Sequence, residues 1–293
     1  MSHDQPALPQ PIIDLYDEYT HAPLDRRDFL KRLSVLAGGT AAAYALLPVL
    51  ENNYAQAALV ASEDARLTSG DIAFDGPNGT LKGYLSRPKA PGRRGSVLVI
   101  HENRGLNPHI RDVARRVALA GYNALALDFL SPLGGTPADE DAARALFAKL
   151  DRADAAENGL AALAFLKALP SGNGRLGTVG FCWGGAMVNQ LAVFAPDLDA
   201  AVCFYGMAPD LLLVPQIKAR LQLHYAGVDE RINAGREPFE AALARAGVRF
   251  ESFLYEGKQH AFHNDTNAGR YDKAAAELAW SRTLSLFARA LAR

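Results

Sequence analysis

The sequence predicts an α/β fold, a mostly parallel central sheet with helices on both faces. Two observations carry this. Short, continuous apolar runs recur along the chain, as strands buried on both faces require, and stretches with apolar residues at helical spacing separate them. Residues 72–74 and 81–86 flank the turn GPNG at 76–79 and read as an antiparallel hairpin. Residues 96–100 (SVLVI) form the first buried strand. Ile110, Val113, Ala114, Val117 and Ala118 then mark a helix that stops at Gly121. Residues 124–127 are the next strand, followed by helical stretches over 138–150 and 153–169, the second ended by Pro170. Strands at 176–181, 200–204, 220–225 and 248–254 alternate with helices at 184–194, near 238–246 and at 273–291. The loop at 131–139 (SPLGGTPAD) is expected to cover a pocket.

Composition narrows the function classes. A chain of 293 residues makes one large domain or two small ones. A formal charge of −1 provides no basic footprint for nucleic acid. Only Cys182 and Cys203 are present, which excludes a disulfide framework and a cysteine-built zinc cluster. They leave one possible bridge or two free thiols.

The N-terminus has the layout of an address. Residues 26–32 read RRDFLKR, residues 33–50 are uncharged and largely apolar, and Ala-Gln-Ala at 55–57 resembles a cleavage site. Residues 1–57 are therefore expected to be a twin-arginine-type signal that engages the Tat export machinery, leaving a periplasmic domain of residues 58–293. The alternative is an amphipathic helical extension that stays on the protein, in which case the protein is cytoplasmic. Gly38, Gly39, Tyr44 and Pro48 interrupt the apolar stretch and argue against a permanent membrane span.

The candidate chemistry gathers at strand ends. Cys182 lies in Gly180-Phe181-Cys182-Trp183-Gly184, where a buried strand runs through glycines into a helix. That is the nucleophile-elbow pattern with cysteine in the serine position, and the helix N-terminus favours thiolate. Asp229 follows the strand at 220–225 and is preferred to Glu230 as the acid that orients an imidazole. His260 follows the last strand and is preferred to His263 as the base. His3 and His21 fall in the leader, His109 opens a helix, His224 lies inside a strand, and His101 ends one. The backbone N–H groups of Trp183 and Asn103 are the expected oxyanion donors. Glu102 is placed at the pocket mouth, where a carboxylate opposes thiolate formation.

With these motifs in place, the chain from about residue 72 onward resembles the dienelactone hydrolase (carboxymethylenebutenolidase) family of α/β-hydrolases. The resemblance rests on GFCWGG at 180–185, the Glu102 loop, Tyr205-Gly206 after a strand, Asp229, and His260-Ala261-Phe262. It implies hydrolysis of a small ester or lactone by a Cys182-His260-Asp229 triad through a thioester, as a monomer or homodimer, with no metal or organic cofactor. It also implies that Glu102 contacts the thiol at rest and is displaced by substrate. Tyr205 and Asn264 are the expected substrate contacts. The chain departs from the family where two arginines hold a substrate carboxylate. One position falls within Asp128-Phe129-Leu130-Ser131-Pro132 and the other is Asn264, and neither is basic. Arg104 and Arg270 remain as positive charges that approach from another direction. A competing reading is a non-catalytic exported binding protein on the same fold, stabilised by a Cys182–Cys203 disulfide.

Overall fold

The computed structural model describes residues 8–54 and 58–292. Its centre is an eight-stranded sheet. Strands β1 (Leu67–Gly76) and β2 (Gly79–Pro88) form the expected antiparallel hairpin, with Gly76 opposite Gly79. β2 then pairs antiparallel with β4 (Asn123–Asp128). From β4 onward every pairing is parallel, through β3 (Arg94–Ile100), β5 (Gly172–Phe181), β6 (Ala200–Phe204), β7 (Arg220–Val228) and β8 (Phe250–Gln259). The sheet order is β1-β2-β4-β3-β5-β6-β7-β8.

The period-2 alternation of β3 shows why the sheet needs helices on both faces. Leu98 and Ile100 join one core, with Leu163 and Leu166 of α6 (Arg152–Lys167) and Val188 and Leu191 of α7 (Trp183–Phe194). Val97 and Val99 join the other, with Val113 and Val117 of α4 (Pro108–Leu119) and Phe287 of α10 (Lys273–Leu291). Helix starts are fixed by side-chain caps: Asn107 accepts from the Ile110 N–H and Asp272 from the Ala275 N–H. Because β3 to β8 pair in parallel, their carboxyl ends lie along one edge of the sheet, where ligands bind in such folds.

The N-terminal segment folds as helices α1 (Gln10–His21), α2 (Arg26–Leu36) and α3 (Thr40–Leu50) around a core of their own. Tyr16, Tyr19, Phe29, Leu33, Leu47 and Leu50 are buried there, and Tyr19 stacks on Phe29 at 4.3 Å. Arg26, half of the arginine pair, bonds Glu51 at 2.8 Å. The segment is tied to the main domain by Asn103 Nδ2 donating to the Thr20 carbonyl at 2.6 Å. Asn267 Nδ2 donates to the Leu50 carbonyl at 2.5 Å. The Ala-Gln-Ala at 55–57 lies outside the described residues. Among the described residues no single helix is long and apolar enough to cross a membrane. α2 and α3 reach that length only as a pair bent by 112°.

The loop at 131–139 ends in Ala138 and Asp139, which line a cavity of about 470 Å³ with Tyr16, Tyr19 and Arg104, separate from the one beside the thiol. Thr136 donates from its N–H and Oγ1 to the Asp128 carboxylate at 2.8 and 2.7 Å, while accepting from the Leu106 N–H. It leads into α5 (Glu140–Phe147), whose first acids face the N-terminal helices: Asp141 accepts from Tyr19 at 2.5 Å, and Glu140 accepts from Tyr54.

Candidate active site

Cys182 sits between β5 and α7 with φ 55° and ψ −115°, a left-handed backbone that a β-strand entering a helix this sharply requires. Its N–H is anchored to the Phe204 carbonyl of β6 at 3.0 Å. The flanking glycines are dictated by close approach. A Cβ on Gly180 would lie 2.2 Å from the Gly184 carbonyl oxygen, and one on Gly184 would lie 2.5 Å from the Ile100 and His101 oxygens. Trp183 is the first residue of α7, so its N–H has no partner within the helix. Its ring is held by Phe129, Phe147 and a stacked His101, whose own nitrogens bond the Glu102 carbonyl and the Phe129 N–H.

β7 and β8 deliver the expected acid and base. His260 Nδ1 lies 2.5 Å from Asp229 Oδ2, with both groups buried. The other Asp229 oxygen caps α8 (Glu230–Asn233) by accepting from the Ile232 N–H, whereas Glu230 is exposed. His260 Nε2 has no hydrogen-bond partner among the described residues and lies within 4.8 Å of Cys182 Sγ. His263 stacks on Phe181 at 5.0 Å, within the core. Tyr205 packs 4.9 Å from the His260 ring with φ 38°, and its buried hydroxyl is unbonded among the described residues.

A second imidazole, which the sequence reading assigned to the leader, completes this cluster. His21, the last residue of α1, places Nε2 3.1 Å from Cys182 Sγ. Its ring meets His260 edge-on at 4.8 Å. His21 Nδ1 lies 2.9 Å from the Asp17 carbonyl and 3.2 Å from Asp17 Oδ1. The one available signal was the Asp17/His21 spacing of four, which puts both side chains on one helix face.

These neighbours set the charge state of the thiol. Burial alone would raise Cys182, but the His21 and His260 imidazoles outweigh it and bring the thiol down to about 6. Burial likewise opposes charge on His260, yet Cys182 and Asp229 raise it to about 10. His21 is raised too: burial opposes its charge, and Cys182 and Asp17 override that. His21 Nε2, Cys182 Sγ and His260 Nε2 lie within 4.8 Å of one another, a donor set that a thiophilic cation would also find attractive.

Several expectations are corrected here. Glu102 is buried nearby, but Oε2 accepts from Asn264 Nδ2 at 2.9 Å and the thiol's hydrogen-bond partner is His21. Asn264, expected to meet substrate, also accepts from the Thr266 N–H and hydroxyl, so both ends of its amide are occupied. Arg104 and Arg270 do not line the cavity beside the thiol. Arg104 pairs with Glu140 and bonds the Tyr16 hydroxyl at 3.1 Å, and Arg270 lies 3.4 Å from Asp17. Cys182 and Cys203 are both free, so no disulfide joins them. Burial pushes the Cys203 thiol up to about 12.

A cavity of about 620 Å³ opens beside the thiol. Asn103 lines it, as the oxyanion assignment requires, together with Cys182, Trp183 and His21. Met187, Met207 and Ile232 supply apolar wall, and Arg152 and Arg231 stand at its exposed rim.

Comparison with known proteins gives the family. The sequence profile of the dienelactone hydrolase family matches residues 81–291, and one described as YqhI-like matches residues 3–38. A Synechocystis protein bearing the name carboxymethylenebutenolidase is 33% identical over 234 residues, covering 74% of this chain and 94% of its own. A hydrolase fragment of Escherichia coli is 48% identical over 112 residues, covering 37% of this chain and 96% of its own. Among solved structures, one named as a dienelactone hydrolase from Klebsiella pneumoniae superposes with a TM-score of 0.68. It is 27% identical and covers 76% of this chain and 99% of its own.

Proposed function

The chain belongs to the dienelactone hydrolase family, and on that premise we propose that it hydrolyses small esters or lactones with Cys182 as nucleophile, through a thioester. Cys182 attacks the carbonyl carbon, and the N–H groups of Trp183 and Asn103 receive the developing oxyanion. His260 protonates the departing alkoxide. It then takes a proton from the water that attacks the thioester, which releases the acid and the thiolate. Asp229 holds the imidazole in the tautomer this needs. Each oxyanion donor lowers the barrier by roughly 3–4 kcal/mol. No step calls for a cofactor.

The observation that carries this reading is the Asp229–His260 bond of 2.5 Å behind a thiol held at a left-handed elbow. The test is p-nitrophenyl acetate hydrolysis by wild type, Cys182→Ala, His260→Ala and Asp229→Asn. Each variant is expected to lose about 100-fold or more in kcat. Wild-type turnover in Cys182→Ala would sink the nucleophile.

The rim supports a substrate class. Arg152 and Arg231 line the cavity, and neither pairs with a carboxylate among the described residues. They take the place of the family arginines this chain lacks, and favour substrates with an acid group remote from the scissile bond. Location follows the fate of the N-terminal segment. Export by the twin-arginine route requires the arginine pair to be read as a signal. Retention is favoured by the burial of Phe29 and Leu33 against Tyr16 and Tyr19, and leaves the enzyme cytoplasmic.

A further inference from the structure

We infer that the N-terminal helices belong to the working enzyme and that His21, held by Asp17, acts on Cys182 as a second catalytic imidazole. This rests on Cys182 being the nucleophile.

Two carboxylate-backed imidazoles converge on one sulfur. Asp229–His260 reaches it from the loops after β7 and β8, and Asp17–His21 from the end of α1. The second dyad is longer and more exposed than the first, at 3.2 Å against 2.5 Å, but it is braced from behind. Asp17 lies 3.4 Å from Arg270, and the Arg270 guanidinium stands over the Tyr16 ring at 5.0 Å. Asn103 of the expected oxyanion loop spends its side-chain amide on the Thr20 carbonyl, one residue before His21. The position of α1 and the shape of the oxyanion loop are thus set by the same bond. Removal of residues 1–57 would take away the sulfur's hydrogen-bond partner and a wall of the cavity.

This arrangement divides the proton work. The resting thiolate faces two imidazolium groups whose charges are balanced by Asp17 and Asp229. When the thiolate attacks, a C–S bond forms and the ester C–O bond breaks, and the alkoxide takes its proton from His260. His260 is then neutral and accepts a proton from the attacking water as the C–S bond breaks. His21 keeps its proton throughout. It holds the negative charge on sulfur at rest and again when the thiolate is expelled. Glu102 is tied through Oε2 to Asn264 and makes no hydrogen bond to the thiol among the described residues. The titratable groups facing His21 are Asp17 on its own helix, Cys182 at the elbow and His260 on the far loop, with Arg270 behind Asp17.

The experiment uses the full-length chain as wild type, His21→Ala, His21→Gln and Cys182→Ala, with p-nitrophenyl acetate turnover and iodoacetamide alkylation near neutral pH. His21→Ala is expected to lose about tenfold or more in kcat, with KM within about threefold. Its alkylation should slow by about tenfold, and added imidazole should restore part of the turnover. His21→Gln, which fills the space without the charge, should lose kcat and alkylation rate likewise. Its folding is checked by thermal melting. Wild-type kcat and alkylation in the folded Gln variant would overturn the role of His21 and leave the nucleophile standing. Wild-type turnover in Cys182→Ala would instead remove the premise. The mass of active enzyme from its native host is expected to include residues 10–21, and fully active enzyme beginning after residue 57 would overturn retention.

Discussion

Asn264 Nδ2 donates to Glu102 Oε2 at 2.9 Å, so the acid expected at the thiol is held by a residue expected to meet substrate. One amide thus joins Glu102 on one side to the Thr266 N–H and hydroxyl on the other.

Asn264→Ala leaves Glu102 buried without that donor. Stability should fall by about 1–3 kcal/mol, the usual cost of orphaning a buried polar group, while KM for a neutral ester moves little. Urea denaturation and steady-state kinetics separate the two effects. A raised KM at unchanged stability would return Asn264 to the substrate contacts.

The reactivity of Cys182 should follow its lowered thiol. A group brought down to about 6 is thiolate above that value and loses the thiolate as pH falls through it. Iodoacetamide alkylation should therefore rise through about pH 6 and level off by neutrality, where an ordinary thiol of 9.0 would still be climbing. Cys203, pushed up to about 12, should stay unmodified over the same range, and Cys182→Ala should abolish the fast reaction. A single inflection near the ordinary value would disprove the two-imidazole environment.

Arg231→Ala and Arg152→Ala should raise KM for an ester carrying a remote carboxylate by roughly threefold to tenfold, because both guanidinium groups are solvent-exposed and their pairing is screened. A neutral ester of the same length should be hydrolysed as by wild type. Equal effects on both esters would mean that the rim shapes the cavity without reading charge.

Most of the fold was legible because the strands are buried on both faces and read as unbroken apolar runs. α10 occupies 273–291 as the spacing predicts, and the GPNG turn closes the hairpin. Cys182, Asp229 and His260 were legible because strand ends and glycines fix them locally. His21 was not, since its role depends on where α1 docks, and no local pattern encodes a contact between elements so far apart. The N-terminal helices show the same limit. Basic and apolar blocks in that order suit a signal, yet they also form an amphipathic hairpin once Phe29 and Leu33 find Tyr16 and Tyr19. The loop at 131–139 was expected over a pocket and its end does line one, but its bracing by the Asp128 carboxylate through Thr136 left no local pattern to read.

His21 and Cys182 stand 161 positions apart. α1 is synthesised before anything it docks against exists, and the elbow is made before the strands that carry Asp229 and His260. Until β7 and β8 have been made, the sulfur lacks the His260 imidazole and the Asp229 carboxylate behind it. Reactivity arrives only when sequence-distant segments close together, late in folding. The rate of alkylation at Cys182 near neutral pH is then a gauge of completed tertiary structure.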